Sequence, residues 1–282
     1  STARKRQVHG RRRRRLLPPV DAAMQAHYQD GAEEADRLAG WSLERLRTEE
    51  LLARWLPAPP SSVLDAGGGP GRYAAWLAGL GHRVTLLDPV PVHVEAAAAR
   101  PEPIGVERAD AVALPHPAAA FDAVLLLGPL YHLVEPADRA AALAEAARVV
   151  RPGGVVVAAG ICRFAALLDG FVNRFHLDER FRAIAAATTA TGRHRNPDGR
   201  PEWFTTAYFH RPAELGEELR AAGLAGVEVL GVEGPAWVFG DRGREPDDER
   251  WRDAALWAAR AVEAEPEAVA LSAHLLAVGW RR

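Results

Sequence analysis

Between residues 62 and 160, short apolar runs alternate with stretches of helical spacing, and no other feature constrains the fold of this chain as tightly. The runs Ser62 to Ala66, Arg83 to Asp88, Ile104 to Arg108, Phe121 to Leu127 and Val155 to Gly160 have strand length. The stretches Gly71 to Leu80, Val92 to Arg100 and Pro136 to Val150 between them read as amphipathic helices. Strand, helix, strand in this order is the mark of βαβ units, which close only into a parallel sheet with helices on its faces. The predicted fold class is therefore α/β.

The flanking segments divide the rest of the chain. Residues 1–20 form a basic tail, and residues 21–57 a helical N-terminal arm, with Leu43, Leu46, Leu51, Leu52 and Trp55 as apolar repeats after a breaker at Gly40. Pro57-Ala58-Pro59-Pro60 ends that arm, because proline disfavours helix at the residue before it. After residues 58–160 the rhythm stops for about fifty residues, far longer than an ordinary βα loop. Residues 161–210 hold Phe164, Phe171, Phe175, Phe181, Trp203, Phe204, Tyr208 and Phe209, and read as a cap insertion. The α/β rhythm returns over residues 211–282, with a helix at Pro212 to Ala222, a strand at Gly226 to Val232 and an apolar run at Val269 to Trp280; residues 233–268 are a second insertion.

Composition narrows the class of function. A chain of 282 residues with 48% apolar content can bury a full core. It holds no run of the roughly 20 apolar residues that a membrane helix requires, so no membrane association is expected. The single cysteine, Cys162, excludes an intramolecular disulfide, reads as a small buried residue and fits a reducing, cytoplasmic setting. Eight of the 35 basic residues lie within residues 1–15, leaving 27 against 37 acidic ones, so the body of the protein is acidic. Phosphate binding needs basic residues beside the site, and a nucleic-acid partner is therefore not expected. The tail reads as a solvated extension.

The chemistry concentrates at strand ends. Val63-Leu64-Asp65-Ala66-Gly67-Gly68-Gly69-Pro70-Gly71 runs from a buried strand straight into a helix. Gly67, Gly69 and Gly71 allow a sharp turn and a close approach of backbone to ligand. Such a turn alone is shared with nicotinamide and flavin enzymes. The second strand ends in Asp88, followed by Pro89; a carboxylate there can accept from both ribose hydroxyls, and the same position also suits a helix cap. The third strand leads to Glu107-Arg108-Ala109-Asp110-Ala111, which places an acid within reach of an adenine amino group. Then follow Phe121-Asp122-Ala123-Val124-Leu125-Leu126-Leu127-Gly128-Pro129-Leu130-Tyr131-His132-Leu133 and Arg148-Val149-Val150-Arg151-Pro152-Gly153-Gly154.

In this order the motifs resemble those of class I S-adenosylmethionine-dependent methyltransferases of the small-molecule type. The resemblance is close over about residues 60 to 160. It implies a doubly wound, Rossmann-like sheet of seven mostly parallel strands in the order 3-2-1-4-5-7-6, the last strand antiparallel. It implies S-adenosylmethionine as cofactor, with Gly67 and Gly69 at the methionyl part, Asp88 on the ribose, Asp110 and Ala111 at the adenine, and Leu127 and Gly128 on the sulfonium side. The arm is similar to that of glycine and small-amine methyltransferases, which implies that Tyr28 and Arg47 close over the cofactor carboxylate.

The methyl group of a sulfonium is already activated, so such an enzyme must chiefly align the acceptor and exclude water. For a hydroxyl or a protonated amine a base is also needed, and His132, after the fourth strand, is the first choice. His210, at the start of a helix, and His274, in a strand, are weaker ones. No metal-ligand spacing is evident, so no metal is expected. Enzymes of this kind that methylate base amines carry Asn or Asp before a Pro-Pro-aromatic run, whereas this chain has Gly128-Pro129-Leu130-Tyr131, and the aromatic insertion suggests apolar walls for a small-molecule acceptor. Two readings compete: a nicotinamide-dependent oxidoreductase, and a non-catalytic or RNA-binding module built on the same fold.

Overall fold

The structure is a computed structural model and describes residues 42–239 and 248–282. The expected basic tail, residues 21–41 of the expected arm and Tyr28 lie outside the described residues.

The expected strands form as β1 (Ser62–Ala66), β2 (Arg83–Asp88), β3 (Ile104–Arg108), β4 (Phe121–Leu126) and β5 (Val150–Cys162), all pairing parallel in the order β3-β2-β1-β4-β5. Strand β5 starts before the expected Val155, because Phe121 pairs with Val150 across a register irregularity. Beyond β5 lie β9 (His274–Arg281), antiparallel to it, and then β8 (Leu224–Gly231), antiparallel to β9. The order β3-β2-β1-β4-β5-β9-β8 is the expected one, with β9 as the reversed strand inserted next to β5. The apolar run at 269 to 280 begins as a 3-10 turn, Val269–Leu271, before the strand proper.

Two short strands were not expected, β6 (Arg193–His194) and β7 (Ala207–His210). Ile161 pairs with both His274 and Phe209. A strand has only two edges, so β7 takes the edge of β5 that β4 leaves after Leu126 reaches Ala158. His210 consequently ends a strand and does not begin a helix.

The helices are α1 (Leu43–Trp55), α2 (Arg72–Gly79), α3 (Pro91–Ala98), α4 (Pro129–His132), α5 (Pro136–Val149), α6 (Ala165–Val172), α7 (Glu179–Thr191), α8 (Pro212–Ala221) and α9 (Glu249–Val262). Alternate residues of the inner strands point to opposite faces, and both sets are apolar. Val63, Leu125 and Val157 join Leu51 of α1 and Leu77 of α2 in one core. Their neighbours Leu64, Leu126 and Val156 join Leu143 of α5 and Leu219 of α8 in the other. This is why the strands read as continuous apolar runs: helices cover both faces of the sheet.

The aromatic insertion does not build the walls that its composition suggested. Phe175, Phe181 and Trp203 pack on one another, with ring centroids 5.3 Å (Phe175–Phe181) and 5.6 Å (Phe181–Trp203) apart, and form a small core of their own with Ile184. Phe164 packs against the main core and Phe171 is exposed. Phe175, Phe181 and Trp203 are consumed in holding the segment together, because a fifty-residue insertion must bury apolar area of its own to stay ordered.

Candidate active site

The chain turns from β1 into α2 at the carboxyl edge of the sheet. Gly67 has φ of +74° and donates its N–H to Leu87 O at 2.7 Å. A Cβ on Gly67 would sit 2.6 Å from Pro129, and one on Gly128 would sit 2.9 Å from Gly67 O. The loops after β1 and β4 thus meet glycine to glycine, and side chains there would force them apart. Gly71 caps α2 in the left-handed region and shapes the turn without lining the cleft beyond it.

Asp88, at the end of β2, accepts from Gly69 N at 3.0 Å and from Val90 N at 2.8 Å, and lies 3.2 Å from His93 Nδ1. Both uses expected of its position are compatible, since it fixes the glycine turn and the start of α3 while still lining the cleft. Asp110 accepts from Val112 N at 3.1 Å, closing the turn after β3. Asp65, under the turn, is buried, and among the described residues neither of its carboxylate oxygens has a hydrogen-bond partner. Burial, and then the charge of Asp88, push its pKa up to about 7. A buried carboxyl with no donor is costly, and it fits a ligand that brings positive charge or donors into the cleft.

The cleft has a volume of about 540 Å³. It brings together Gly67, Gly69, Asp88, Pro89, Asp110, Ala111, Leu127, Gly128 and His132, as the sequence predicts. His132 ends α4, with its ring centroid 4.6 Å from that of Tyr131. Sequence reasoning missed Arg72 and Tyr73, which line the cleft from the first turn of α2, although their place directly after the glycine run was a usable signal. It also missed Arg195 and Thr206, the two residues that the 161–210 segment contributes to the lining. Nothing in their local sequence marks them.

Arg47 is not brought to the cleft. Its guanidinium is fully buried on α1, donating to Val232 O at 3.2 Å, to Glu50 at 2.6 Å and to Glu263. Its donors are spent on tying α1 to the segments after β8 and α9, which corrects the expectation of a cofactor contact. His274 also lies outside the lining. Its Nδ1 is hydrogen-bonded to Glu233, whose other oxygen accepts from Ser272 Oγ at 2.7 Å and from His274 N at 3.0 Å. Burial opposes ionisation of Glu233, but the His274 charge and these donors hold its pKa below the usual carboxylate value. With Glu44 these side chains form a Glu-Glu-His group from three distant segments, which spacing along the chain could not reveal.

A glycine cradle, an orphaned buried acid and two carboxylates, Asp88 at the end of β2 and Asp110 just past β3, fit an adenosyl group with a positively charged tail. The chain belongs to the class I S-adenosylmethionine-dependent methyltransferases and is an enzyme of that family. A methyltransferase domain model matches residues 63–154. The ubiquinone biosynthesis O-methyltransferase of Methylocella silvestris is 33% identical over 225 residues, which cover 77% of this chain and 74% of that protein. The demethylmenaquinone methyltransferase of Mycolicibacterium vanbaalenii is 30% identical over 196 residues, covering 70% and 72%. The same fold occurs in a methyltransferase of Thermotoga maritima described as a possible histamine N-methyltransferase, with a TM-score of 0.56, 18% identity, and coverage of 92% of this chain and 100% of that one.

Proposed function

We propose that this protein methylates an O, N or C atom of a small metabolite, holding S-adenosylmethionine in the Gly67–Asp88–Asp110 half of its cleft and the acceptor in the half lined by Tyr131, His132 and Thr206. The observation that carries this reading is the continuity of the two halves in one cleft of about 540 Å³. An oxygen acceptor is favoured by the relative named as an O-methyltransferase.

When bound, the cofactor supplies a methyl group activated by its sulfonium. The chain supplies the rest. Oδ2 of Asp88 keeps a second lone pair beyond the Gly69 amide bond it accepts, enough to take a ribose hydroxyl, while Oδ1 is shared by Val90 N and His93 Nδ1. Asp110 accepts from the adenine amino group beside Ala111, Pro89 flanks the ribose acid, and Leu127 with Gly128 borders the sulfonium side. Asp65 offsets positive charge from below the turn. His132 takes the acceptor proton as the acceptor oxygen or nitrogen is held in line, and Tyr131 packs against the imidazole to fix its orientation.

Calorimetric titration with S-adenosylhomocysteine and with NAD tests the cofactor assignment: saturable binding of the first supports it, and binding of NAD alone ends it. His132→Ala is expected to slow methyl transfer to a phenolic acceptor by about 10²- to 10⁴-fold with affinity for S-adenosylhomocysteine unchanged. An unchanged rate would remove the base assignment.

A further inference from the structure

We infer that the acceptor carries a carboxylate, read by Arg195, with the Thr206 hydroxyl as a second donor in the same compartment. This rests on the cofactor and acceptor halves assigned above. The inserted segment packs Phe175, Phe181 and Trp203 on one another and offers the cleft a guanidinium and a hydroxyl. A cap serving a purely apolar acceptor would present the reverse.

Arg195 is solvent-exposed where it lines the cleft. Its neighbours in sequence are paired, Arg193 with both oxygens of Glu135 at 2.7 and 2.9 Å, and Arg200 with Glu202. Among the described residues, Arg195 itself has no hydrogen-bond or ion-pair partner. Glu135, the acid whose ionisation it favours, is already occupied by Arg193. The other acid on this side, Asp138, lies in the first turn of α5, where the helix N-terminus balances its charge.

The base of Arg195 is rigid, as recognition requires. His194, next to it, is buried, bonded to Thr188 Oγ1 at 3.0 Å and Trp203 O at 2.8 Å, and stacked 4.9 Å from Phe209. On the other side, the Asn196 amide donates to Arg200 O and Phe204 O at 2.6 and 2.7 Å. A planar guanidinium on a fixed base can meet a planar carboxylate with two parallel bonds. A dianionic phosphate is disfavoured, because Glu135 and Asp138 border the same space.

The test uses the protein saturated with S-adenosylhomocysteine and two matched pairs, benzoate against benzamide and indole-3-acetate against indole-3-acetamide. Each acid is expected to bind about tenfold tighter than its amide, as a charge-assisted bond replaces a neutral one. In Arg195→Ala that preference should vanish while affinity for S-adenosylhomocysteine stays at the wild-type value, and Arg195→Lys should retain part of it. Equal binding of acid and amide, no detectable binding of either acid, a preference that survives Arg195→Ala, or phenyl phosphate binding tighter than benzoate would each overturn the inference. Failure of the wild type to bind S-adenosylhomocysteine would instead overturn the cofactor assignment beneath it.

Discussion

At Asp65 the glycine turn has an electrostatic consequence for stability. The carboxyl titrates at about 7 in the folded protein and near 4 when unfolded. Between those values the native state binds more protons than the unfolded one, so Asp65 makes stability fall as pH rises from about 4 to 7 and contributes no further slope above. Asp65→Asn is expected to remove this slope, checked by urea unfolding at pH 5 and pH 8. Asp88 was legible as a ligand-facing acid and a helix cap from its place at a strand end, and its bond to Val90 is local, but its bond to Gly69 depends on loops that only folding brings together. Asp88→Ala should weaken S-adenosylhomocysteine binding by about 10- to 100-fold, from the loss of a hydrogen bond to a charged group, while the far-ultraviolet circular dichroism stays native.

At the scale of elements, α5 couples the inserted segment to the loop that carries His132. Arg139, 2% exposed, donates to Glu218 of α8 at 2.8 Å and to Leu133 O and Val134 O at 2.9 Å, and its guanidinium lies 3.7 Å over the Tyr208 ring of β7. Glu218 also faces His210; burial opposes its ionisation, yet His210 and Arg139 hold its pKa low, while burial holds that of His210 down. Arg139→Ala is expected to cost about 3 kcal/mol, because it strands a half-buried carboxylate, and to slow methyl transfer without changing affinity for S-adenosylhomocysteine. Urea unfolding and a side-by-side titration check both. The sequence placed α5 within one residue, since apolar spacing and an N-terminal proline define it locally. It could not foresee β6 and β7, whose pairing joins residues far apart.

Across the whole molecule, α1 is clamped over one face of the sheet by Leu51, Leu52 and the buried Arg47. Arg47→Ala is expected to lower stability by about 3 kcal/mol and to leave S-adenosylhomocysteine affinity within about threefold, whereas an arginine holding the cofactor carboxylate would lose at least tenfold. Thermal unfolding and calorimetry separate the two outcomes. No helix among the described residues is long and apolar enough to cross a membrane.

The sequence by itself determined the parallel sheet, the glycine turn and the strand-end acids, because each is written in a few consecutive residues whose spacing matches a backbone period or a turn requirement. Only the tertiary structure decided that Arg47 serves the scaffold, that Phe175, Phe181 and Trp203 face one another, and that Arg195 faces the cleft. Those outcomes depend on which distant groups compete for a donor or an apolar surface, and burial settles that competition only when the chain has closed on itself.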